Sequence, residues 1–180
     1  MNEAELQDTP YGQNPAAEGW FVLNLADALA LRNEAKGGAF YPLEPQGGGF
    51  TDLGVNVHVV WPGEPNCLYH SEGTREAFLV LSGECTLVVE EQERPLRQWD
   101  FFHCPAGTRH VFVGAGDGPC VILMTGARSQ DEKLFYPKSE LAERYGASAT
   151  EDTPDPKQAY APFEQPERGR PEYWDRLPWA

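Results

Sequence analysis

The chain has 180 residues, 41% of them hydrophobic, which is enough for one domain with a full core but short for two. Its 28 acidic residues outnumber its 14 basic ones. The resulting formal net charge of −14 disfavours nucleic acid and anionic membrane as partners, because both bind clustered Lys and Arg. No run of about 18 apolar residues is present that could span a bilayer.

The first 15 residues are polar and acidic, unlike a secretion signal. We therefore expect a soluble, cytoplasmic protein. None of the four cysteines forms a close Cys-x-x-Cys pair, and each lies in or beside an apolar run: Cys67, Cys85, Cys104 and Cys120. Small buried thiols are the favoured interpretation, and a disulfide framework is not expected. A thiolate nucleophile at Cys104 or Cys67 stays open as an alternative.

The N-terminal third predicts mixed local structure before the β-rich region. Residues 1–18 are expected to be a flexible segment, and residues 20–24 a short apolar strand. Residues 25–36 predict a helix, because Ala26, Leu29 and Ala30 recur at helical spacing and Gly37-Gly38 follows as a stop. Residues 39–43 predict another strand.

From Leu53 onward, short apolar segments alternate with turn residues, which is typical of β-strands. The predicted strands are 53–61, 66–72, 76–82, 84–90, 94–97, 100–104, 109–113 and 119–126. Regularly spaced short strands with few helices indicate a sandwich or a small closed barrel. No internal repeat is present, so we predict a single barrel unit over residues 19–128.

The remaining residues, 129–180, predict a short helix followed by an irregular arm. The helix spans about 139–145, with Ser139 as its N-cap and Gly146 as its stop. The stretch 147–180 is rich in Pro and acidic residues but has too many aromatics for a purely disordered tail: Tyr160, Phe163, Tyr173, Trp174 and Trp179. We expect it to pack as an extended arm against the barrel or a partner subunit.

Four side chains with metal-binding chemistry lie in two short segments of the predicted barrel. His70 and Glu72 are two apart and share a face of a strand, Glu76 follows just past a turn, and His110 lies in the second segment. Two imidazoles and two carboxylates form a ligand set for a divalent transition metal. Taken singly, the two Glu residues could instead be solvated acids and His110 a core histidine.

The run from Pro62 to Gly114 resembles the cupin superfamily, in particular single-domain bacterial cupins. The first cupin motif corresponds to Gly63, His70-Ser71-Glu72, Glu76 and Gly83, and the second to Trp99-Asp100, Pro105-Ala106-Gly107, His110 and Gly114. The resemblance implies an all-β fold, a double-stranded β-helix (jelly-roll) barrel, here with short peripheral helices and an extended C-terminal arm.

The resemblance also implies that the metal ligands are His70, Glu72, Glu76 and His110, holding Fe, Mn, Ni or Zn. The chain departs from the cupin pattern at three positions: Glu72 replaces the second His, Trp99 replaces a Gly, and Gly114 replaces an Asn. The extra carboxylate adds negative charge and hardness to the site. Glu72 is therefore expected either as a ligand or as a catalytic acid/base beside the metal.

Two classes of function are open at this point. The leading hypothesis is a metal-dependent cupin acting on a small organic molecule in the barrel cavity, through an oxygenase-type or an isomerase reaction. The alternative is a non-catalytic module that binds or senses a small ligand and is stabilised by the metal. A homodimer is expected by analogy, because the edge strands and the aromatic arm both need cover.

Other polar residues carry weaker signals. His58 could line the cavity as an acid/base, although an ordinary strand histidine is the favoured interpretation. His103 is expected to be structural, and Arg75 to be a solvated charge in a turn rather than a clamp for a substrate anion. Four apolar residues are candidates for the cavity wall or for plain core: Phe78, Val80, Phe102 and Phe112.

Overall fold

Antiparallel β-strands dominate the structure, a computed structural model that describes residues 2–33, 38–45, 49–129, 133–163 and 167–180. The strands are β1 (Leu6–Thr9), β2 (Gly12–Pro15), β3 (Leu31–Asn33), β4 (Gly38–Pro42), β5 (Leu53–Val60), β6 (Ser71–Glu72), β7 (Glu76–Ser82), β8 (Glu84–Val89), β9 (Gln92–Arg97), β10 (Phe101–Cys104), β11 (His110–Ala115), β12 (Cys120–Ala127), β13 (Leu134–Phe135) and β14 (Glu167–Arg168).

Helical structure in the described ranges is brief and lies near the C-terminus. It comprises α1 (Glu140–Glu143), α2 (Pro156–Ala159) and one 3-10 turn (Trp174–Arg176). None of these helices is long and apolar enough to cross a membrane. The Ser139 hydroxyl accepts a hydrogen bond from the Ala142 N–H at 3.1 Å, and Gly146 takes a left-handed φ of 63° at the other end. The predicted N-cap is therefore confirmed, whereas the helix ends at Glu143 with Arg144 as its C-cap, earlier than the predicted end at residue 145.

Most strands belong to two sheets. The larger has seven strands in the order β10-β7-β12-β5-β4-β3-β14, and the smaller has three in the order β11-β8-β9. Two-stranded pairs, β1-β2 and β13-β6, complete the strand pairing of the described residues. The all-β prediction is confirmed, but strand hydrogen bonds do not close these sheets into one barrel. The cavity discussed below therefore lies between two sheets.

Residue alternation along the strands decides which side chains enter the space between the sheets. On β7, Glu76, Phe78 and Val80 are buried and lie two residues apart, so they share one face. Phe78 and Val80 pack in a core cluster with side chains from both sheets, including Ile122 from the larger and Phe112 from the smaller. This cluster joins the two layers and forms the floor beneath the polar residues at one end.

The opposite face of the larger sheet is covered by the ends of the chain. Val57 and Val59 of β5 pack in a second cluster with Tyr41 and with C-terminal side chains. The C-terminal contributors are Tyr173, Trp174, Leu177 and Trp179. The alternation of β5 therefore directs Val57 and Val59 outward and leaves Asn56, His58 and Val60 on the inner face.

The N-terminal predictions need correction. Residues 6–15 of the expected flexible segment form the antiparallel pair β1-β2, and Asn14 is buried with 2% exposure. Residues 25–27 form a turn and residues 31–33 form β3, so the helix predicted over 25–36 is wrong. Tertiary pairing of β3 with β4 overrides the helical spacing of the alanines and Leu29. Residues 34–37, which include the expected end of that helix, lie outside the described residues.

Two further strand predictions are only partly right. Residues 20–24 contribute a single bridge, at Trp20, and the predicted strand 66–72 is reduced to the two residues of β6. The bends over 66–70 arise where the chain crosses between the sheets. The division into segments 1–18, 19–128 and 129–180 stays a prediction.

Gly114 of β11 lies against the backbone of residues 61–64, and a substitution there tests how close this approach is. Its N–H donates to the Glu64 carbonyl at 2.9 Å, and a Cβ placed on Gly114 would overlap the Trp61 carbonyl oxygen. We expect Gly114→Ala to lower the free energy of unfolding by about 1–3 kcal/mol, because backbone rather than a flexible side chain must move. Urea denaturation followed by fluorescence would measure this.

Gly118→Ala is the matched control for that substitution. The nearest atom to a Cβ at Gly118 is the Nη2 end of the Arg176 side chain at 3.3 Å, which can move aside. This variant should stay within about 0.5 kcal/mol of the unsubstituted protein. Equal stabilities for the two variants would contradict the close backbone crossing at Gly114.

Candidate metal centre

His70 and His110 face each other across a pair of backbone hydrogen bonds. The His110 N–H donates to the His70 carbonyl at 2.8 Å, and the His70 N–H donates to the His110 carbonyl at 3.2 Å. Directly opposed residues in an antiparallel pair project to the same side. The imidazole centroids accordingly lie 5.0 Å apart. The structure therefore brings together two residues that are far apart in sequence.

Each imidazole is held by a backbone carbonyl on one ring nitrogen. Nδ1 of His70 donates to the Leu68 carbonyl at 2.8 Å, and Nδ1 of His110 donates to the Thr108 carbonyl at 3.1 Å. Because a carbonyl can only accept, the proton of the neutral ring lies on Nδ1. The lone pair is then on Nε2, the arrangement that a metal-binding histidine adopts.

The two predicted carboxylates lie on the Nε2 side of these rings. Glu72 Oε1 is 3.6 Å from His70 Nε2, and Glu76 Oε2 is 3.6 Å from His110 Nε2. Donor atoms tetrahedrally arranged at about 2.1 Å from one ion are roughly 3.4 Å apart. Each His–Glu pair is therefore spaced as two ligands of one ion would be, while His70 and Glu72 lie outside the tighter donor group that Glu76 and His110 form with Cys104.

The local fold explains why Glu76 and Glu72 differ in accessibility. Glu76 opens β7 opposite Cys104 of β10 and Gly126 of β12, and its side chain is only 10% exposed. Glu72 lies on the short strand β6, and its side chain is 23% exposed. Gly126 is close to both carboxylate side chains and has no side chain of its own to separate them. A Cβ there would be 3.6 Å from Glu76 Cγ and 4.0 Å from Glu72 Oε2.

A cavity of about 270 Å³ contains all four predicted site residues in its lining. The rest of the described lining comes from β5, β7, β12 and the loop before β6. These further lining residues are Gly54, Asn56, His58, Asn66, Cys67, Phe78, Met124, Thr125, Gly126, Ala127 and Arg128. The site is thus one polar end of the space between the sheets, accessible to a small molecule.

Cys104 adds a third type of donor beside this group. Its sulfur lies 3.5 Å from His110 Nδ1 and 3.8 Å from Glu76 Oε2. Donor atoms of Glu76, Cys104 and His110 lie within 4.8 Å of one another, close enough to hold a metal ion. Burial and the adjacent Glu76 charge raise the pKa of Cys104 to about 12, so it is a thiol at neutral pH. Its burial matches the predicted buried thiol.

The two imidazoles have different proton affinities in the absence of a metal. Burial, together with the charge of His70, lowers the pKa of His110 to about 3. Burial alone would also lower the pKa of His70, but Cys67 and Glu72 outweigh it and hold that pKa well above its usual range. His70 is therefore protonated more readily than His110 in the absence of a metal, and a cation bound at Nε2 would displace that proton.

His58 lines the cavity, which the sequence had left as the less favoured interpretation. Its ring stacks on Phe40 with centroids 5.4 Å apart and an interplanar angle of 18°. Burial lowers the pKa of His58 to about 4, so the ring is neutral at pH 7. Arg75 and His103 are exposed, and Arg75 does not line the cavity. Of the four apolar candidates for the wall, only Phe78 is part of the described lining.

Tyr136 is a site neighbour that sequence reasoning missed. Its ring stacks on His70 with centroids 5.6 Å apart and an interplanar angle of 22°. Tyr160 packs edge-on against Tyr136, and its hydroxyl accepts a hydrogen bond from the Leu68 N–H at 3.0 Å. Leu68 is the residue whose carbonyl holds His70. The aromatic richness of the C-terminal region was visible in the sequence, but nothing there connected it to a histidine so distant.

Comparison with known proteins supports the resemblance to cupins. The cupin domain family matches residues 56–126, the segment that contains all four predicted site residues. A sugar phosphate isomerase of the cupin superfamily from Silicibacter pomeroyi has a similar structure, with a TM-score of 0.57 and 26% identity. The match covers 66% of this chain and 83% of that one. Residues 56–126 of this chain therefore form a cupin domain.

Other matches add information about the fold alone or about length. The polyketide cyclase RemF from Streptomyces resistomycificus is similar with a TM-score of 0.52 and 18% identity, covering 60% of this chain and 79% of that one. A protein from Acidithiobacillus ferrooxidans, provisionally named a sugar phosphate isomerase, is 28% identical with a TM-score of 0.44. That match covers 46% of this chain and only 55% of the other. No curated protein matches the chain.

Burial of neutral His58 predicts a specific dependence of stability on pH. Its pKa is about 4 in the folded protein and 6.5 ordinarily, so the unfolded chain binds this proton first as pH falls. Stability is therefore lost between about pH 6.5 and pH 4. The variant His58→Phe keeps a ring against Phe40 but cannot bind this proton. Between pH 7 and pH 5 we expect its free energy of unfolding to fall by roughly 1–2 kcal/mol less than that of the unsubstituted protein.

Urea denaturation at the two pH values measures this difference directly. The control is His103→Phe, which changes an exposed histidine of β10 and should keep the full pH dependence of the unsubstituted protein. An identical loss of stability on acidification in the unsubstituted protein and in His58→Phe would show that His58 is not buried in its neutral form.

Proposed function

We propose that this cupin is a metal-dependent enzyme acting on a small organic molecule in the cavity between its sheets. The observation that supports this most directly is the orientation of both imidazoles, each with Nδ1 bonded to a carbonyl and Nε2 facing a carboxylate 3.6 Å away. Satisfied structural histidines do not require that common orientation. A cavity that contains these donors has the features of an active site.

We propose that His70, Glu76 and His110 would hold the ion, with Glu72 either as a fourth ligand or as an acid/base beside it, and with Fe, Mn, Ni or Zn as candidates. A divalent ion bound there would polarise an oxygen of the substrate as a Lewis acid. The carbonyl bonds to Nδ1 hold the rings in place, and the Cys104 thiol next to His110 and Glu76 supports the more buried pair. Glu72 is the more exposed carboxylate and has the better access to a substrate.

Loss of a ligand tests the metal assignment. We expect His110→Ala, purified from metal-supplemented cells, to fall from about one bound ion per chain to nearly none, because both the Nε2 donor and its contact with Glu76 are removed. Elemental analysis by mass spectrometry gives the stoichiometry. His103→Ala is the control, since that histidine lies outside the cavity lining and should leave metal content unchanged. Equal metal content in both variants would contradict the proposed centre.

Proton transfer next to a carbonyl, as in isomerisation, is the reaction type that this proposal favours. Glu72 would take a proton from the hydroxyl-bearing carbon of the substrate and return it to the neighbouring carbonyl carbon, while the proton of that hydroxyl passes to the former carbonyl oxygen. Two carboxylates offset the charge of a divalent ion, which weakens its power to acidify water and favours chelation of substrate oxygens over hydrolysis. The similarity to a protein named a sugar phosphate isomerase supports the same reaction type.

An oxygenase reaction is the second candidate. The specific observation in its favour is that His70, His110 and Glu76 form a set of two imidazoles and one carboxylate, which suits non-haem Fe(II) and O2 chemistry. Non-catalytic binding of a small ligand is the remaining alternative, and it predicts tight binding without consumption. The homodimer also stays a prediction, which light scattering would test.

The role of Glu72 separates these possibilities. We expect Glu72→Gln to lower turnover by about 10²–10⁴-fold, because an amide cannot act as the base, while metal remains bound through the other three side chains. Incubation of the iron- or manganese-loaded protein with small sugars and keto acids in D2O, followed by NMR, detects deuterium entering the carbon skeleton.

Oxygen consumption measured in parallel identifies the competing chemistry. Deuterium exchange without O2 uptake supports the isomerase. O2 uptake by the iron-loaded protein but not by the manganese-loaded protein supports the oxygenase. If Glu72→Gln loses the metal, Glu72 is a required ligand, and this outcome would contradict its proposed role as the proton carrier. Binding of a compound with neither exchange nor O2 uptake would favour the non-catalytic alternative.

A further inference from the structure

One wall of the cavity carries two polar side chains with unused hydrogen-bonding capacity. Asn56 and His58 lie two residues apart on β5, and both are part of the described lining. Asn56 Oδ1 and His58 Nδ1 are buried and have no hydrogen-bond partner in the described part of the chain. Buried polar atoms left in this state cost free energy, which a polar ligand would recover.

The surrounding strands hold this pair in place. His58 is opposite Phe40 on β4 and stacks on its ring, which restrains the plane of the imidazole. Asn56 is opposite Met124 on β12, and Met124 is also part of the cavity lining. Both polar groups are therefore carried by β5, a central strand of the larger sheet that lies away from its edges. Rigid strands present a preorganised pair of hydrogen-bonding groups to a ligand.

The charges around the cavity argue against an anionic ligand. Imidazoles aside, the only cation in the described lining is Arg128, and it donates to Oε2 and Oε1 of Glu44 at 2.7 and 2.8 Å. This bidentate pair leaves little of its capacity for a phosphate. Glu72 and Glu76 add negative charge inside the same cavity. His58 is neutral at pH 7 because burial lowers its pKa to about 4.

We propose that Asn56 and His58 bind hydroxyl groups of a neutral polyhydroxylated molecule, such as an unphosphorylated sugar or polyol. A hydroxyl both donates and accepts, so it can satisfy an amide oxygen and a ring nitrogen at once. The cavity of about 270 Å³ suits a metabolite-sized ligand rather than a larger one. This inference deepens the proposed function and rests on it, because the metal centre across the cavity would act on the other end of that molecule.

Calorimetry with three probes tests the inference on the metal-loaded full chain. The probes are D-ribose and myo-inositol, which are neutral, and D-ribose 5-phosphate, which differs from ribose by one charged group. Asn56→Leu removes the amide, and His58→Phe removes the ring nitrogens while keeping the stack on Phe40. Thr125→Val is the matched control, because this cavity-lining hydroxyl already donates to the Ala77 carbonyl at 3.2 Å.

We expect a neutral probe to bind more tightly than the phosphate, and each of the two β5 variants to weaken it about tenfold or more. Thr125→Val should bind as the unsubstituted protein does, and metal content should be equal in all variants. Tighter binding of ribose 5-phosphate would overturn the inference, and would implicate the exposed Arg168 in an adjoining cavity that shares Asn56 and Arg128. Unchanged binding in both β5 variants, or no binding of either neutral probe at millimolar concentration, would also overturn it.

Metal content and probe binding, both measured before and after metal is removed with EDTA, separate this inference from the proposed function. If the protein takes up no metal but still binds a neutral probe through Asn56 and His58, the metal proposal fails while the hydroxyl-binding pair stands. If the protein takes up metal but the two β5 variants bind the probes normally, the pair fails while the metal proposal stands.

Discussion

The reciprocal backbone hydrogen bonds between His70 and His110 are the interaction on which the candidate site depends. They join the segment before β6 to the start of β11 and place both imidazoles on the cavity side. With Nδ1 of each ring bonded to a carbonyl two residues earlier, little freedom remains for either Nε2. Glu72 on β6 and Glu76 at the start of β7 then place their carboxylates 3.6 Å from Nε2 of His70 and of His110, respectively.

Holding such donors together is costly without a cation. Glu76 is almost fully buried, Glu72 is close to it across Gly126, and buried carboxylates lose the hydration that stabilises their charge. The raised pKa of His70 indicates one partial solution, in which a protonated His70 offsets part of the negative charge of Glu72. A divalent cation would offset that charge more completely and would bind the lone pairs of both histidines as well.

The fold and the chemistry of this cupin are separate conclusions. Similarity to a cyclase and to a sugar phosphate isomerase shows that one architecture is compatible with very different reactions, so the fold alone names no substrate. The side chains of this chain are more informative. Asn56 and His58 on one wall and an Arg128 that is paired with Glu44 at the boundary describe a polar cavity with few available cations, unlike a typical phosphate-binding site.

The sequence alone determined the strand-rich region and the identity of the four candidate ligands, because strand alternation and motif spacing are local properties. It failed over residues 25–33, where pairing of β3 with β4 overrode a helical pattern, and over residues 6–15, whose strands are stabilised by each other. It also could not connect Tyr136 with His70, Cys104 with Glu76, or His58 with Phe40. Those contacts join residues from different strands and loops, and only the packing of two sheets determines which of them meet.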